Sequence, residues 1–463
     1  MKSLWTKCQI INTVDVNEIY VSKKIKTSLG KNVEFRFGQK KQYVTVNSFN
    51  NNQESRRLGM KYQNPISVYL SKSLVDKLSI QTDNVYRLNI KQGVVELGPV
   101  IGLLLGEQQY YYHDEFMSEY KDAMKRYEEV GGLVLAFKTC SIDWDNKSIY
   151  GLYYNHKDNQ WSYGKFPFPS VIYRRAFKAT QNITDKLYKM TNGKIFNANR
   201  YSKWDMYNIL KENRKLKKYL PETEALVSME SFKKFINEHN DVILKPVGLS
   251  RGRGICIIKK LGEELMEIHD YGDGRNSTQA TFTKEDIISY VKESGFINKD
   301  YIMQPFLNFA RINGLPWDIR IVMQKGADFR WKCNGIECRI AGVSNLITNI
   351  SRGGRAVSIS KALKLSFGPK IKSSKVKKEI IKICKGIAEN MDSEREIFAE
   401  LGIDIAIDQE QNFWIIESNV RPTFNGFRKH MEYENYVYLC TAPIDFASSL
   451  AGFKRSDKSE TKI

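Results

Sequence analysis

Through the first 110 residues, apolar and polar positions alternate between turn signals. Val44-Thr45-Val46, Ile66-Ser67-Val68-Tyr69-Leu70 and Val85-Tyr86-Arg87-Leu88-Asn89-Ile90 have the period of half-buried strands and predict a small, mostly-β domain over residues 1–112. The run from Val94 to Leu104 is more continuously apolar, as in a strand buried on both faces. A helix is expected over Glu115 to Glu129, and Gly131-Gly132 opens a second buried strand, Leu133 to Phe137. Strand, helix and strand then alternate to Val171-Ile172-Tyr173-Arg174-Arg175, which predicts an α/β segment over 113–199. Ser202 with Asp205 three residues on reads as a capping box, and Pro221 as a stop. Between them a helix should carry Trp204, Tyr207, Leu210, Leu216 and Leu220. A further helix through Phe232, Phe235 and Ile236 leads into the strand Val242 to Pro246. The main body is expected over 200–445, and a polar tail over 446–463.

Composition narrows the class. The 463 residues are 42% hydrophobic and 12% aromatic, enough to build cores and unlike a disordered chain. No apolar run reaches the length of a membrane span, and Met1 to Ile10 has no signal-peptide core, so a soluble cytoplasmic protein is expected. Seven scattered cysteines without a CxxC pair argue against a disulfide framework and a zinc ribbon. Cys333 and Cys338, in W-K-C-N-G-I-E-C-R, read as facing thiols of a hairpin turning at Asn334-Gly335.

Lys and Arg outnumber Asp and Glu by 72 to 52, a formal charge of +20. Only Lys361 to Lys385 is dense, with nine lysines and the single acid Glu379. It reads as a solvated helix face. Nucleic acid is disfavoured as a partner, because no aromatic residues interleave for base stacking and no nucleic-acid-binding motif is present.

Three segments carry chemistry. Lys245 ends an apolar strand and is followed within nine residues by Gly248, Gly252, Gly254, Arg251 and Arg253. Glycine permits positive φ and close backbone approach, so such a loop can present N–H groups and cations to a polyphosphate. A plain β-hairpin with a snorkelling lysine is the competing reading. The second segment is Gly402 to Asp408, a loop, and Phe413 to Asn419. If Gln409 to Asn412 form a four-residue turn, Asp408 opposes Phe413 and Asp404 opposes Glu417. Asp404, Glu417 and Asn419 then share one face, a hard-oxygen set suited to Mg²⁺, while Ile403, Ile405, Ile407, Trp414 and Ile416 form the other. A solvated outer face is the alternative. Third come arginines on strands: Arg320 with Asp318 in Trp317 to Val322, Arg339, and Arg352 in Asn349 to Arg355. Mid-strand charges require partners, either an anionic ligand or mutual ion pairs. Met303-Gln304-Pro305-Phe306-Leu307 adds a strand ending at proline, which frees backbone groups for a ligand.

In this order the segments resemble the ATP-grasp superfamily. The fuller set, Leu97 to Gly102, Phe196-Asn197 through Lys203-Trp204, Lys245-Pro246, Asp318-Ile319-Arg320, Thr348-Asn349 with Arg352-Gly353-Gly354, and Glu417-Ser418-Asn419, resembles the YheC/YheD family associated with the endospore coat. The resemblance implies an α+β class, the ATP-grasp fold with two α+β lobes clamping ATP, preceded by the β domain and the α/β segment. It implies ATP contacts from Lys203, Lys245, Gly248, Arg251, Gly252, Arg253, Gly254, Gln304, Pro305, Phe306, Leu307, Asp318 and Asn349. Asp404, Glu417 and Asn419 match the magnesium set, and Arg320, Arg339 and Arg352 are the catalytic candidates. Pro305 departs from relatives that carry a glutamate there. The implied activity is an ATP- and Mg²⁺-dependent ligase joining a carboxylate to an amine or thiol, on a small molecule or peptide, through an acylphosphate, in spore coat or envelope formation. The alternative is a non-catalytic nucleotide-binding scaffold partnered with spore coat proteins.

Overall fold

The computed structural model describes residues 3–13, 17–49, 65–106, 114–176, 181–249, 252–272, 278–342, 348, 353–392, 396–424, 426–429 and 431–453. Seven strands between Leu4 and Gly98 close into a barrel. Its first strand, Leu4–Ile11, pairs in parallel with Ile66–Ser71 and antiparallel with Val85–Lys91, so closure leaves no open edge. The alternating residues fill it, with Phe35, Phe37, Leu70, Tyr86 and Leu97 fully buried.

The barrel ends at Gly98 rather than near residue 112. Val100–Gly106 instead enters a six-stranded sheet between Leu133–Asp143 and Val171–Arg174, parallel to both. That placement explains its continuous apolar character, since it is covered on both faces. The C-terminal helix, Tyr433–Leu450, contributes Ile444, Phe446 and Ala447 to one of the two cores flanking this sheet. Residues 446–453, expected in a polar tail, are thus largely buried. The Phe453 ring lies where a Cβ on Gly98 would come within 2.7 Å, and Arg87 Nη1 donates to Phe453 O at 2.9 Å.

Two more sheets follow. The third runs in the order Glu224–Ala225, Tyr301–Pro305, Asp241–Pro246, Cys256–Lys260, Leu265–Asp270, Thr278–Thr283. Helices Met229–Glu238 and Lys284–Glu293 cover it through Phe232, Phe235, Ile287 and Val291. In the fourth, Leu315–Lys325 lies between Trp331–Ile340 and Glu400–Ile407, with Phe413–Asn419 at one edge and Arg355–Val357 at the other. Ile319, Ile321, Ile403 and Ile405 form its apolar face against helices Ile359–Phe367 and Ser373–Met391. All nine lysines between Lys361 and Lys385 are exposed on or beside these helices, as expected of a solvated face.

Two local expectations differ. The helix starting at the Ser202/Asp205 capping box stops at Lys211, because Asn213 caps a separate short helix, Arg214–Lys217. Asn334-Gly335 is a bulge within the single strand Trp331–Ile340, not a hairpin turn. Phe427 explains the glycine: a Cβ on Gly335 would lie 2.9 Å from its ring. Among the described residues no helix is long and apolar enough to cross a membrane.

Candidate functional site

The third and fourth sheets face each other across a cleft of about 710 Å³. Its inner wall is apolar, with Ile243, Ile255, Phe306, Leu307, Trp414 and Ile416, and Lys245, Gln304, Asp318 and Thr348 supply its polar groups. A few apolar walls with convergent polar groups is the composition of a small-molecule site. A second pocket shares Lys245 and Gln304 and adds Lys203, Glu417 and Ser418.

On the third sheet, antiparallel pairing sets Gln304 opposite Ile243 and Lys245 opposite Ile302. Lys245 Nζ donates to Gln304 Oε1 at 2.6 Å, and Gln304 Nε2 donates to Thr223 Oγ1 at 2.8 Å. Burial, then repulsion from Lys203, draws the Lys245 ammonium down to about 8 against the attraction of Glu417. Lys203 donates to Pro246 O at 3.1 Å and to Leu249 O, which ties the start of the helix after Ser202 to the glycine-rich loop. Gly252 and Gly254 have φ of +70° and +71°, and a Cβ on Gly254 would meet the Tyr301 hydroxyl at 2.8 Å, so this loop requires glycine there. The strand end at Pro305 is less open than the sequence suggests. Pro305 pairs with Val242, and the Phe306 amide donates to Asp241 O at 2.8 Å.

On the fourth sheet, the face opposite the isoleucines carries charge. Arg320 donates through Nε and Nη2 to the two oxygens of Asp404, the second at 2.8 Å. Arg339 forks onto Asp318 at 2.7 and 2.6 Å and reaches Asp404 Oδ2 at 2.9 Å. Thr348 also donates to Asp318. Burial works against ionised Asp404, but the two guanidiniums outweigh it and hold the carboxyl at about 2. Mutual ion pairs therefore satisfy these strand charges, and the partner of Asp318 is Arg339 rather than its neighbour Arg320.

Asp404 stands opposite Glu417, and Gly402 opposite Asn419. The count that predicted this used the wrong loop. Ile407 pairs with Phe413 across a five-residue connection, and a bulge at Ile416 restores the register. The bulge also brings Trp414 and Ile416 to the cleft wall, while Ile415 packs in the core and reaches the cleft as well. Asn419 Nδ2 donates to Glu417 Oε1 at 2.7 Å, which orients its amide oxygen as a further hard donor. Among the described residues no group of three or more His, Cys, Asp or Glu is placed to hold a metal by itself. Asp404, Glu417 and Asn419 offer instead two carboxylates and an amide oxygen, donor types that Mg²⁺ takes alongside phosphate oxygens and water.

The structure thus brings together Lys203, Lys245, Gln304, Pro305, Phe306, Leu307, Asp318 and Glu417 as pocket walls, with Arg320, Arg339, Asp404 and Asn419 joined to them by the contacts above. Gly248 and Arg253 lie on exposed positions of the adjoining loop. Arg251, Asn349 and Arg352 lie outside the described residues. Sequence reasoning missed a group of arginines beside this set: Arg174, Arg175, Arg200 and Arg421. Burial and the first three of these guanidiniums pull Arg421 to about 9. The signal was present as an Arg-Arg doublet ending an apolar strand and an arginine two residues beyond Asn419.

Two α+β layers clamping a cleft, with a lysine and glycine-rich loop on one and oxygen donors on the other, are an ATP-grasp architecture. A model of the YheC/D-like ATP-grasp family matches residues 192–450, and the chain belongs to that family. It is 23% identical over 402 residues to the endospore coat-associated protein YheD of Bacillus subtilis (strain 168), covering 80% of this chain and 86% of that protein. To the endospore coat-associated protein YheC of the same organism it is 24% identical over 325 residues, or 68% and 88% of the two chains. Similar solved structures include the ATP-grasp ligase PsnB with its minimal precursor (12% identity, TM-score 0.44, 75% of this chain and 98% of that one). Another is the D-alanine-D-alanine ligase from Coxiella burnetii (11% identity, TM-score 0.43, 76% and 93%).

Proposed function

We propose that this protein is an ATP- and Mg²⁺-dependent ligase that joins a carboxylate to an amine or thiol through an acylphosphate. The observation that carries the reading is the meeting, across one apolar cleft, of the half-buried Lys245 ammonium with Glu417, whose charge acts on both Lys245 and Lys203. A lysine held in a dehydrating site beside a second lysine is poised to gain an anion, and polyphosphate supplies one.

In this reading adenine lies against Ile243, Phe306, Leu307 and Trp414, with Gln304, Pro305 and Asp318 beside it. Lys203, Lys245, Gly248, Arg251, Gly252, Arg253, Gly254 and Asn349 take the phosphates. Asp404, Glu417 and Asn419 are the donors for Mg²⁺, which when bound neutralises phosphate charge and templates in-line transfer. Arg320, Arg339 and Arg352 stabilise the transferred phosphoryl group or orient the substrate carboxylate, since a planar fork matches either anion. Most of the rate enhancement then comes from positioning and charge stabilisation. In this reading, supported by relatives named as endospore coat-associated proteins, the activity serves coat or envelope formation in the cytoplasm, on a small molecule or a peptide.

One observation favours the scaffold reading: the Asp404 oxygens are both occupied by arginines. Titration with Mg-ATP and candidate amines, following phosphate release, separates the two. Amine-stimulated release that disappears in Lys245→Ala supports the ligase; tight Mg-ATP binding with no release under any amine assigns the scaffold.

A further inference from the structure

The surplus of cations is unevenly placed. Residues 361–389 hold nine lysines against Glu379 and Glu389, and residues 211–218 hold four lysines and Arg214 against Glu212. Fourteen cations against three acids leave +11, more than half of the chain's formal +20, on 37 residues. Folding joins the two segments into one surface. Asn213 Nδ2 donates to Asn390 Oδ1 at 2.8 Å, the Tyr219 hydroxyl donates to Glu379 Oε1 at 3.5 Å, and Leu216 lies 3.4 Å from where a Cβ on Gly386 would stand. The short helix Arg214–Lys217 therefore lies along the flank of helix Ser373–Met391.

On the long helix, Lys375, Lys378, Lys382 and Lys385 are all exposed and recur at intervals of three and four residues, so they share one side. Ile380, Ile383 and Ile387, buried against the fourth sheet, occupy the opposite side. The four ammonium groups thus form the outermost line of the surface, over about 15 Å of helix. A merely solvated face mixes signs. Here like charges are neighbours, which costs the helix stability. The first turn has no acid and no side-chain cap, while Lys372 and Lys375 stand at the end where the helix dipole favours anions. Of the fourteen cations, only Lys382 and Lys385 reach an acid among the described residues, Glu379 at 3.8 Å and Glu389 at 3.6 Å. An arrangement that opposes its own helix points to a partner outside the chain.

We propose that this surface docks an acidic, Glu- or Asp-rich segment of another protein. On a helix, carboxylates recurring every three or four residues repeat at the rise of the lysine stripe and meet it charge for charge. Nucleic acid fits less well, because the rings bordering the patch are already engaged. Trp204 stacks on Tyr207 at 5.6 Å, and Lys211 lies 5.8 and 5.6 Å from the two ring centres, so bases find no open platform. Leu365 is the one large apolar side chain exposed on this surface among the described residues, too little to enter a bilayer. The docking surface stands independently of turnover in the nucleotide cleft.

The test uses the full chain and fluorescently labelled poly-L-glutamate, with anisotropy read at low and high salt and again with saturating Mg-AMPPNP. The wild-type protein binds, salt weakens the complex, and AMPPNP leaves the affinity within about twofold. Lys375→Glu, Lys378→Glu, Lys382→Glu and Lys385→Glu together weaken binding by about tenfold or more, as four exposed charge pairs are lost. Glutamine at the same four positions removes the charge without reversing it, and weakens binding by about threefold or more in a variant whose folding is not at risk. A control that reverses Lys23, Lys24, Lys233 and Lys292, exposed on the barrel and on the helices of the third sheet, stays within about twofold of wild type. No binding by wild type at low salt, equal loss in the control, or displacement by AMPPNP overturns the docking surface. Tighter binding of a single-stranded oligonucleotide, or of anionic lipid vesicles, at equal charge reassigns the surface to nucleic acid or to membrane and overturns the proposal as well.

Discussion

Replacing Lys245 with methionine should make the nucleotide-free protein more stable while abolishing its response to ATP. Holding an ammonium at about 8 instead of its ordinary 10.5 costs the fold ~3 kcal/mol, at 1.36 kcal/mol for each pH unit. Methionine fills a similar volume without charge, but it leaves Gln304 Oε1 without the 2.6 Å donor, a loss of ~1 kcal/mol. The net gain is ~2 kcal/mol, or a rise in unfolding temperature of about 4–8 °C for a domain of this size. The gain depends on pH in a fixed direction. Below about 8 the folded wild type pays the full cost of its buried charge. Between about 8 and 10.5 the unfolded chain binds more protons than the folded one, so wild-type stability rises with pH and the advantage of the variant disappears. Thermal unfolding at pH 7 and pH 10, with and without Mg-AMPPNP, reads all of this. A Lys245→Met protein that melts below wild type at pH 7, or that AMPPNP stabilises as it does wild type, refutes the reasoning.

Three further outcomes follow from the same structure. Glu400→Gln leaves Arg175 buried without its carboxylate and should cost ~3 kcal/mol, the scale of a broken buried pair, read as a lowered urea midpoint; a change within error would show that Tyr173 and Gln324 suffice. Gly335→Ala drives a Cβ to 2.9 Å from the Phe427 ring and should cost ~1–3 kcal/mol as overpacking, with Phe427→Leu restoring much of it in the double variant; additive losses would refute the contact. ADP affinity should be flat from pH 6 to about 8 and fall above it as unliganded Lys245 loses its proton, with proton uptake near pH 8 visible as buffer-dependent heat. An affinity flat to pH 10 would exclude Lys245 as the phosphate contact.

Local periodicity made much of this architecture legible, and its failures have physical causes. Strand alternation announced the mostly-β domain because inward residues such as Val44 and Val46, or Val68 and Leu70, repeat every second position. Its end was misplaced because Val94–Gly98 and Val100–Gly106 are both apolar strands separated by one residue, and only tertiary pairing assigns them to different sheets. Asp404 and Glu417 were matched correctly through two compensating errors, a loop one residue longer than assumed and a bulge at Ile416. Bulges leave no periodic trace, which is also why Asn334-Gly335 read as a turn. The arginine group stayed hidden because its members, at 174, 200 and 421, are brought together only by packing between sheets.

That packing gives the N-terminal half a specific task. Glu400 and Asp404 lie four residues apart on one strand and hence on one face. Asp404 is set by Arg320 and Arg339, whereas Glu400 is set by Tyr173 and Arg175 from the second sheet. Asn197 fastens the same strand through its backbone, donating to Glu400 O at 2.7 Å and accepting from the Ala399 amide at 3.0 Å. It also donates to Val420 O, one residue beyond Asn419, so a single amide bridges the strand that carries Asp404 and the strand that carries Glu417. Pro422 closes over Gly402, where a Cβ would approach it to 2.8 Å, and its carbonyl is held by Arg175. The register of Asp404 against Glu417 is therefore specified from outside the ATP-grasp sheets as well as within them. Residues before 200 act as the outer brace of the site, and the intact chain is the unit in which its chemistry has to be measured.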